Sequence, residues 1–224
     1  MPPIPILSRS RWPILPSPTI TPIGCCLSAA ASLVRSILSS EFQATLRRLK
    51  PHKHRDAFKP RPESDLDFLG SGQYRPAKLL YDTTVYVDIL QDRFPQDGER
   101  TLRATEAWHS PVTEAELAAA CGMLDPTHSG TRQIVEKIQR IIEQRSTFRV
   151  IIPDPEIWRE AGILSGVLAR LQGYGKDQRR RMLNDALLFA TARKHGCAVL
   201  TRNRTDFDFL QQLDPSGRVL FYKS

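Results

Sequence analysis

From Lys78 onward, short apolar runs alternate with stretches in which apolar residues recur every three or four positions. Residues 79–81, Leu-Leu-Tyr, read as a buried strand, and 83–90 as the helix that follows it. A turn over 94–98 precedes a helix over 99–107, then a short strand over 108–112 and a helix over 113–121. Residues 131–145 place Ile134, Val135, Ile138, Ile141 and Ile142 on one helical face. A brief extended piece is expected at 150–152. The next helix spans 155–171, with Pro155 in the first turn, where its missing N–H costs nothing. The longest apolar helix, 178–195, stops at Gly196. Strand 198–201, helix 205–213 and strand 218–222 complete the pattern. Short strands interleaved with helices predict an α/β fold with a parallel sheet covered by helices on both faces.

Residues 1–76 follow a different pattern. They hold 11 of the chain's 17 prolines, and the stretch from Pro2 to Pro22 cannot form helix or central strand. A helix is expected over 27–49, where Leu33, Ile37, Leu38, Phe42 and Leu46 recur at helical spacing. Residues 50–75 are basic, polar and punctuated by proline. We therefore expect a Pro-rich basic extension over 1–76, disordered or loosely attached, and a folded domain over 77–224. The extension is then either a dispensable tail or the product of a start codon assigned too far upstream. Prolines interrupt the apolar run a secretory signal needs. Gly24-Cys25 is a weak imitation of a lipoprotein site, and no run approaches the ~18–20 apolar residues of a membrane span.

Charge and cysteine content change this picture only a little. The formal net charge of +8 favours polyanions. It is uneven, with 11 Lys and Arg against 5 acids in residues 1–76 and 21 against 19 in the remainder. Cys25, Cys26, Cys121 and Cys197 form no CxxC pair and have no histidine at ligand spacing. Zinc and a disulfide framework are not expected, and reduced thiols in a cytoplasmic protein are.

The chemistry rests on four acids. Asp82 ends the first strand, at the carboxyl edge where open α/β sheets place their sites; it also suits a helix N-cap. Glu116 follows Ser110 and Thr113. It either completes a capping box with Thr113 or leans back over the sheet edge. Asp185 lies in a helix apolar on nearly every face, where Arg179, Arg180 and Arg181 offer salt bridges as the plain alternative to a metal ion. Asp206 follows Thr201 and Asn203 and equally suits an ordinary first-turn acid. Ser110, Thr113, Thr201 and Asn203 can orient carboxylates or water. Asp88 falls on a helix body and is expected to face solvent. Carboxylates turned toward an apolar interior need a partner. With no matching set of buried cations, a divalent metal ion is the expected one, and hard oxygen ligands suit Mg2+ or Mn2+. Lys176, Arg179, Arg180, Arg181, Arg202 and Arg204 flank these acids and are candidates for holding phosphates.

In order, Asp82, Ser110-x-x-Thr113-x-x-Glu116-Leu117, Asp185-Ala186-Leu187-x-x-Ala190-Thr191-Ala192 and Thr201-Arg202-Asn203-x-x-Asp206-Phe207 resemble the PIN-domain ribonucleases. More narrowly they resemble the VapC-type toxins of bacterial toxin–antitoxin pairs. The resemblance runs from about Lys78 to Ser224 and is most specific over 184–207. Trp108 and Pro111 depart from it, standing where smaller apolar residues are usual. It implies a PIN-like three-layer sandwich and a Mg2+- or Mn2+-dependent endoribonuclease. Asp82, Glu116, Asp185 and Asp206 would be its catalytic and metal-binding residues. It further implies an RNA substrate, a cognate antitoxin protein and a homodimer, with no membrane partner. A catalytically silent RNA-binding or scaffold module is the alternative. A phosphatase using Asp82 as nucleophile would usually want a second aspartate two residues on, where this chain has Thr84.

Overall fold

The computed structural model describes residues 40–71 and 76–223. Four strands, β1 (Lys78–Tyr81), β2 (Glu106–Trp108), β3 (Ala198–Thr201) and β4 (Arg218–Phe221), form one sheet in the order β2-β1-β3-β4. Every neighbouring pair is parallel, so each return to the same edge needs a crossover, and helices supply them. These are α2 (Thr83–Leu90), α3 (Gln96–Ala104), α4 (Pro111–Met123), α5 (Thr131–Glu143), α6 (Pro155–Gln172), α7 (Lys176–Lys194) and α8 (Arg204–Leu213), preceded by α1 over residues 40–49. This is the three-layer α/β arrangement that the alternation predicted.

The strands' alternation splits the core in two. Leu80, Val199, Val219 and Phe221 face a cluster built with Leu164 and Leu168 of α6, Leu187 and Phe189 of α7 and Phe207 of α8. Leu79, Tyr81, Leu200 and Leu220 face the other way, onto Val85 and Tyr86 of α2, Leu117 of α4 and Ile138 of α5. Each fully buried side chain of this size contributes roughly 1.5–3 kcal/mol. That burial on both faces explains why the strands read as continuous apolar runs.

The boundaries around β2 differ from expectation, with the helix before it spanning Gln96–Ala104 and the helix after it Pro111–Met123. The strand expected at 108–112 lies at Glu106–Trp108, and the preceding helix stops at Ala104 rather than 107. The cause is Pro111. It cannot donate to a ladder, but at the first position of α4 its fixed φ and missing N–H are harmless. Ser110 caps that helix, its hydroxyl accepting from the Val112 N–H at 3.3 Å.

The segment before β1 also differs. The compact unit begins at Ser40, not at 77. Leu49 and Leu66 belong to the core cluster, and the Phe58 ring packs on Phe209 at 6.3 Å between centroids. Residues 67–69 lie alongside β4, with Leu69 N–H donating to the Phe221 carbonyl at 2.7 Å and Phe221 N–H to the Asp67 carbonyl at 2.8 Å. Basic residues of this segment meet buried acids: Arg48 pairs with Glu160 and Asp214, and Arg61 with Asp208. Local polarity suggested a loose tail because these partners lie more than a hundred residues away. The expectations for residues 1–39, including most of the helix foreseen over 27–49, fall outside the described residues. No helix among those described is long and apolar enough to cross a membrane.

Candidate functional site

The four acids converge at the carboxyl edge of the sheet. Asp82 follows β1 directly and caps α2. It is buried and accepts three hydrogen bonds: Thr83 N–H, the Thr84 hydroxyl and the Thr201 hydroxyl, each at 2.7 Å. Glu116 is not part of a capping box. It lies one turn inside α4 and accepts from the Thr83 hydroxyl and from the Asn184 amide, the latter at 2.7 Å. The Asn203 amide donates to Asp185 at 3.2 Å and to Asp206 at 3.0 Å. Asp206 also accepts from the Tyr174 hydroxyl at 3.3 Å.

These contacts close into a ring. Thr83 joins Asp82 to Glu116. Asn184 joins Glu116 to the helix turn that bears Asp185. Asn203 joins Asp185 to Asp206. The Asn203 N–H donates to the Thr201 hydroxyl at 2.9 Å, and Thr201 donates onward to Asp82. Asp82 and Glu116 are thus bridged by one threonine, and Asp185 and Asp206 by one amide, while Asn184 and the Asn203–Thr201 pair complete the circuit. No ion pair reaches any of the four among the described residues.

The electrostatics follow from this crowding. Burial pushes the Asp185 carboxyl well above the usual carboxylate range, and the charges of Asp82, Asp206 and Glu116 push it the same way. Arg181 opposes them and is the smallest of these influences. The salt bridge offered by the arginine run is therefore replaced by a distant charge. Burial also raises Asp82, outweighing the hydrogen bonds from Thr84, Thr201 and Thr83 that lower it.

Thr201 and Asn203 touch carboxylates, as their position at the end of β3 suggested. Ser110 and Thr113 do not: Ser110 caps α4, and the Thr113 hydroxyl donates to the Tyr81 carbonyl at 3.2 Å, fixing α4 against the end of β1. Thr83, Thr84, Asn184 and Tyr174 were missed. Thr83, Thr84 and Asn184 adjoin an acid in sequence, a signal that was there to be read; Tyr174 arrives from the end of α6 with no local sign. Asp88 corrects an expectation. It is fully buried, accepts from the Tyr222 hydroxyl at 2.8 Å, and pairs with Arg93 at 3.1 Å and Arg202 at 3.0 Å. Arg202 is thereby engaged, as is Arg204 by Glu63. Lys176, Arg179, Arg180 and Arg181 remain exposed at the start of α7.

Among the described residues no three His, Cys, Asp or Glu side chains stand close enough to ligate one ion directly. The donor chemistry nonetheless fits a hard, hydrated cation. All donors in the ring are oxygens or amides, the carboxylates outnumber nearby cations, and Mg2+ usually keeps several waters and takes one or two carboxylates.

The family model for the PIN domain matches residues 79–210, a span that contains all four acids. Similar solved structures include VapBC2 from Rickettsia felis bound to a promoter DNA fragment, 16% identical, covering 66% of this chain and 99% of that one, TM-score 0.46. DNA-bound VapBC from Salmonella typhimurium is 19% identical over 64% of this chain and 97% of that one, TM-score 0.46. VapBC-5 from Mycobacterium tuberculosis, from a family of toxin–antitoxin systems, is 20% identical over 66% and 100%, TM-score 0.44. No curated protein matches.

Proposed function

We propose that this chain, which belongs to the PIN-domain family, is a Mg2+- or Mn2+-dependent endoribonuclease, the cytoplasmic toxin of a toxin–antitoxin pair. One observation carries the reading: four carboxylates share a partly enclosed ring with only hydroxyls and amides between them. Such an arrangement is under repulsion, and a divalent ion is the economical way to relieve it.

Asp82 and Asp185 are assigned as the ligands, direct or through water, with Glu116 completing the site and Asp206 orienting water or a second ion. When bound, the cation supplies a lowered pKa for its water and charge compensation at the scissile phosphate. The chain's own residues do the positioning. Thr83, Thr84 and Thr201 fix the Asp82 rotamer by three hydrogen bonds. Asn184 and Asn203 hold Glu116, Asp185 and Asp206 at set separations. Burial and its acidic neighbours raise the Asp185 pKa, so a bound cation would favour the ionised carboxylate there.

An acidic ring repels RNA, so binding needs cations beside it. Lys176, Arg179, Arg180 and Arg181 occupy the first turns of α7, the helix end where cations are disfavoured by the dipole. Their clustering there supports a role on phosphates. For the antitoxin, a groove of about 470 Å³ between α2 and α3, in which Ile89, Phe94 and Leu102 stand among Asp92, Gln96, Glu99 and Arg103, suits an amphipathic segment. A homodimer is part of the same proposal.

The test is cleavage of single-stranded RNA by the full chain in Mg2+, in Mn2+ and in EDTA. Cleavage in either metal that stops in EDTA and in Asp82→Asn or Asp185→Asn is expected. RNA binding without turnover in both metals, unchanged by Asp82→Asn, would establish a silent RNA-binding module instead.

A further inference from the structure

Arg145 lies just beyond α5 and turns its side chain inward, leaving only 6% of it exposed. A buried guanidinium is costly unless its N–H groups are met. Its Nε, Nη1 and Nη2 make no well-formed hydrogen bond among the described residues, and only the Tyr86 hydroxyl comes near enough to act as a weak acceptor. Two contacts offset part of the cost. The guanidinium sits over the Tyr86 ring at 5.6 Å, and Glu114 is 3.5 Å from Nη2, an ion pair too long for a good hydrogen bond.

The same side chain lines a cleft of about 360 Å³, together with Tyr86 and Ile89 of α2, His109, Ile141 of α5 and Arg149. Both arginines bear on the His109 imidazole. Burial first, then Arg145 and Arg149, lower its pKa to about 4, so it stays neutral and adds no third cation. The cleft lies at the same carboxyl edge of the sheet as the acidic ring: the Tyr86 and His109 rings pack on Tyr81, the residue before Asp82, at 6.0 and 5.8 Å between centroids, and His109 follows β2 directly.

We propose that this cleft is an anion site that holds a phosphate of the RNA strand beside the acidic ring. Arg145 donates from its buried fork, and Arg149 closes on the phosphate from the rim. The proposal rests on the ribonuclease reading. A guanidinium fork matches two phosphate oxygens, and the strand needs its charge offset where it meets four carboxylates. The walls of Tyr86, Ile89 and Ile141 offer an apolar face to the adjoining sugar or base.

The experiment uses the full chain in EDTA, where nothing is cleaved, with inorganic phosphate and a labelled single-stranded oligoribonucleotide as probes. Arg145→Gln and Arg149→Gln are each expected to weaken oligoribonucleotide binding about tenfold. Each should also flatten its salt dependence by roughly 0.7 in log–log slope, the value of one lost single-strand phosphate contact. Arg132→Gln, on the exposed side of α5, should bind as wild type. Phosphate should shift the His109 imidazole resonance in the wild-type protein. Unchanged affinity and slope in both cleft variants would overturn the proposal. So would an unmoved His109 resonance, or an acidic peptide that occupies the cleft where phosphate does not. A phosphate shift with oligoribonucleotide affinity intact in both variants would mark a free-anion site and equally overturn it. If Arg145→Gln fails to fold, Arg149→Gln and the wild-type titration decide. Failure of the cleft is separable from failure of the nuclease reading: RNA bound through the cleft but never cleaved in either metal sinks only the latter. Cleavage lost in Asp82→Asn with binding unaltered in the cleft variants sinks only the former.

Discussion

Two substitutions of the same chemistry should change stability in opposite directions. Asp185→Asn removes a charge repelled by Asp82, Asp206 and Glu116 and lowered only weakly by Arg181. The new amide oxygen can still accept from Asn203, the one hydrogen bond the aspartate makes at 3.2 Å. The gain should be about 1–2 kcal/mol, the usual size for relieving one unfavourable group. For a domain of this length that is about 2–8 °C in Tm. Asp82→Asn also removes a buried charge, but three donors converge on that carboxylate. An amide accepts from one side only. Its NH2 would face the Thr84 and Thr201 hydroxyls, and Thr201 already accepts from the Asn203 N–H. A buried donor left unmet costs about 1–3 kcal/mol, so this variant should melt below wild type. The pH dependence has a definite sign. Because the folded-state pKa of Asp185 is raised, its cost is absent below the unfolded-state value near 4 and grows as pH rises through the folded-state value. The Asp185→Asn advantage should therefore be present at pH 7 and vanish near pH 4. Added Mg2+ should stabilise wild type by about 2.7 kcal/mol at a hundredfold excess over Kd and leave Asp185→Asn unmoved. Thermal melts in EDTA and in Mg2+ at both pH values measure all of this. An Asp185→Asn protein that melts below wild type in EDTA at pH 7 would refute the reasoning.

Three further predictions follow from the same contacts. Divalent-ion binding should weaken as pH falls, because burial and neighbouring acids raise the Asp185 pKa and a proton competes with the ion there; calorimetry across a pH series reads the affinity, and binding equally tight at its acid end would contradict it. Arg48→Ala leaves buried Glu160 and Asp214 with Arg193 as their remaining cation and should cost about 2 kcal/mol, less than the full penalty of a broken buried pair because Arg48 is partly exposed; an unchanged Tm would show that α1 does not anchor there. Gly217→Ala would place a Cβ 2.1 Å from Phe189 Cζ and should destabilise by about 1–3 kcal/mol, read from a urea melt.

Much of the fold was legible because the sheet is buried on both faces. β3 and α2 fall where the apolar pattern put them, since no polar alternation blurs a strand covered twice. The β2–α4 junction was misread because a run containing Trp108 and Val112 looks like strand until Pro111 is given its place at a helix start. All four acids were visible as single polar residues at strand ends or in an apolar helix. Their linkage was not, because Thr83, Asn184 and Asn203 act across elements that only folding brings together. Asp88 was misjudged for the same reason: α2 gives no sign that Tyr222, at the far end of the chain, covers it.

The protein contains its own control for the metal reading. Glu160, Asp208 and Asp214 are also buried acids, on the side of the domain where α1 and the segment after it pack. Each meets an arginine: Glu160 and Asp214 meet Arg48 and Arg193, and Asp208 meets Arg61. That is how this chain handles a buried carboxylate whose role is to hold structure, by a guanidinium brought from elsewhere. At the carboxyl edge of the sheet the same chain supplies hydroxyls and amides, keeps Arg202 on Asp88 and Arg204 on Glu63, and leaves Arg181 at a distance. Burial does not single out the ring, for Asp82 is as buried as these acids and its three neighbours are half-buried. The withheld counter-charge does, and it is the feature that a bound divalent ion would explain.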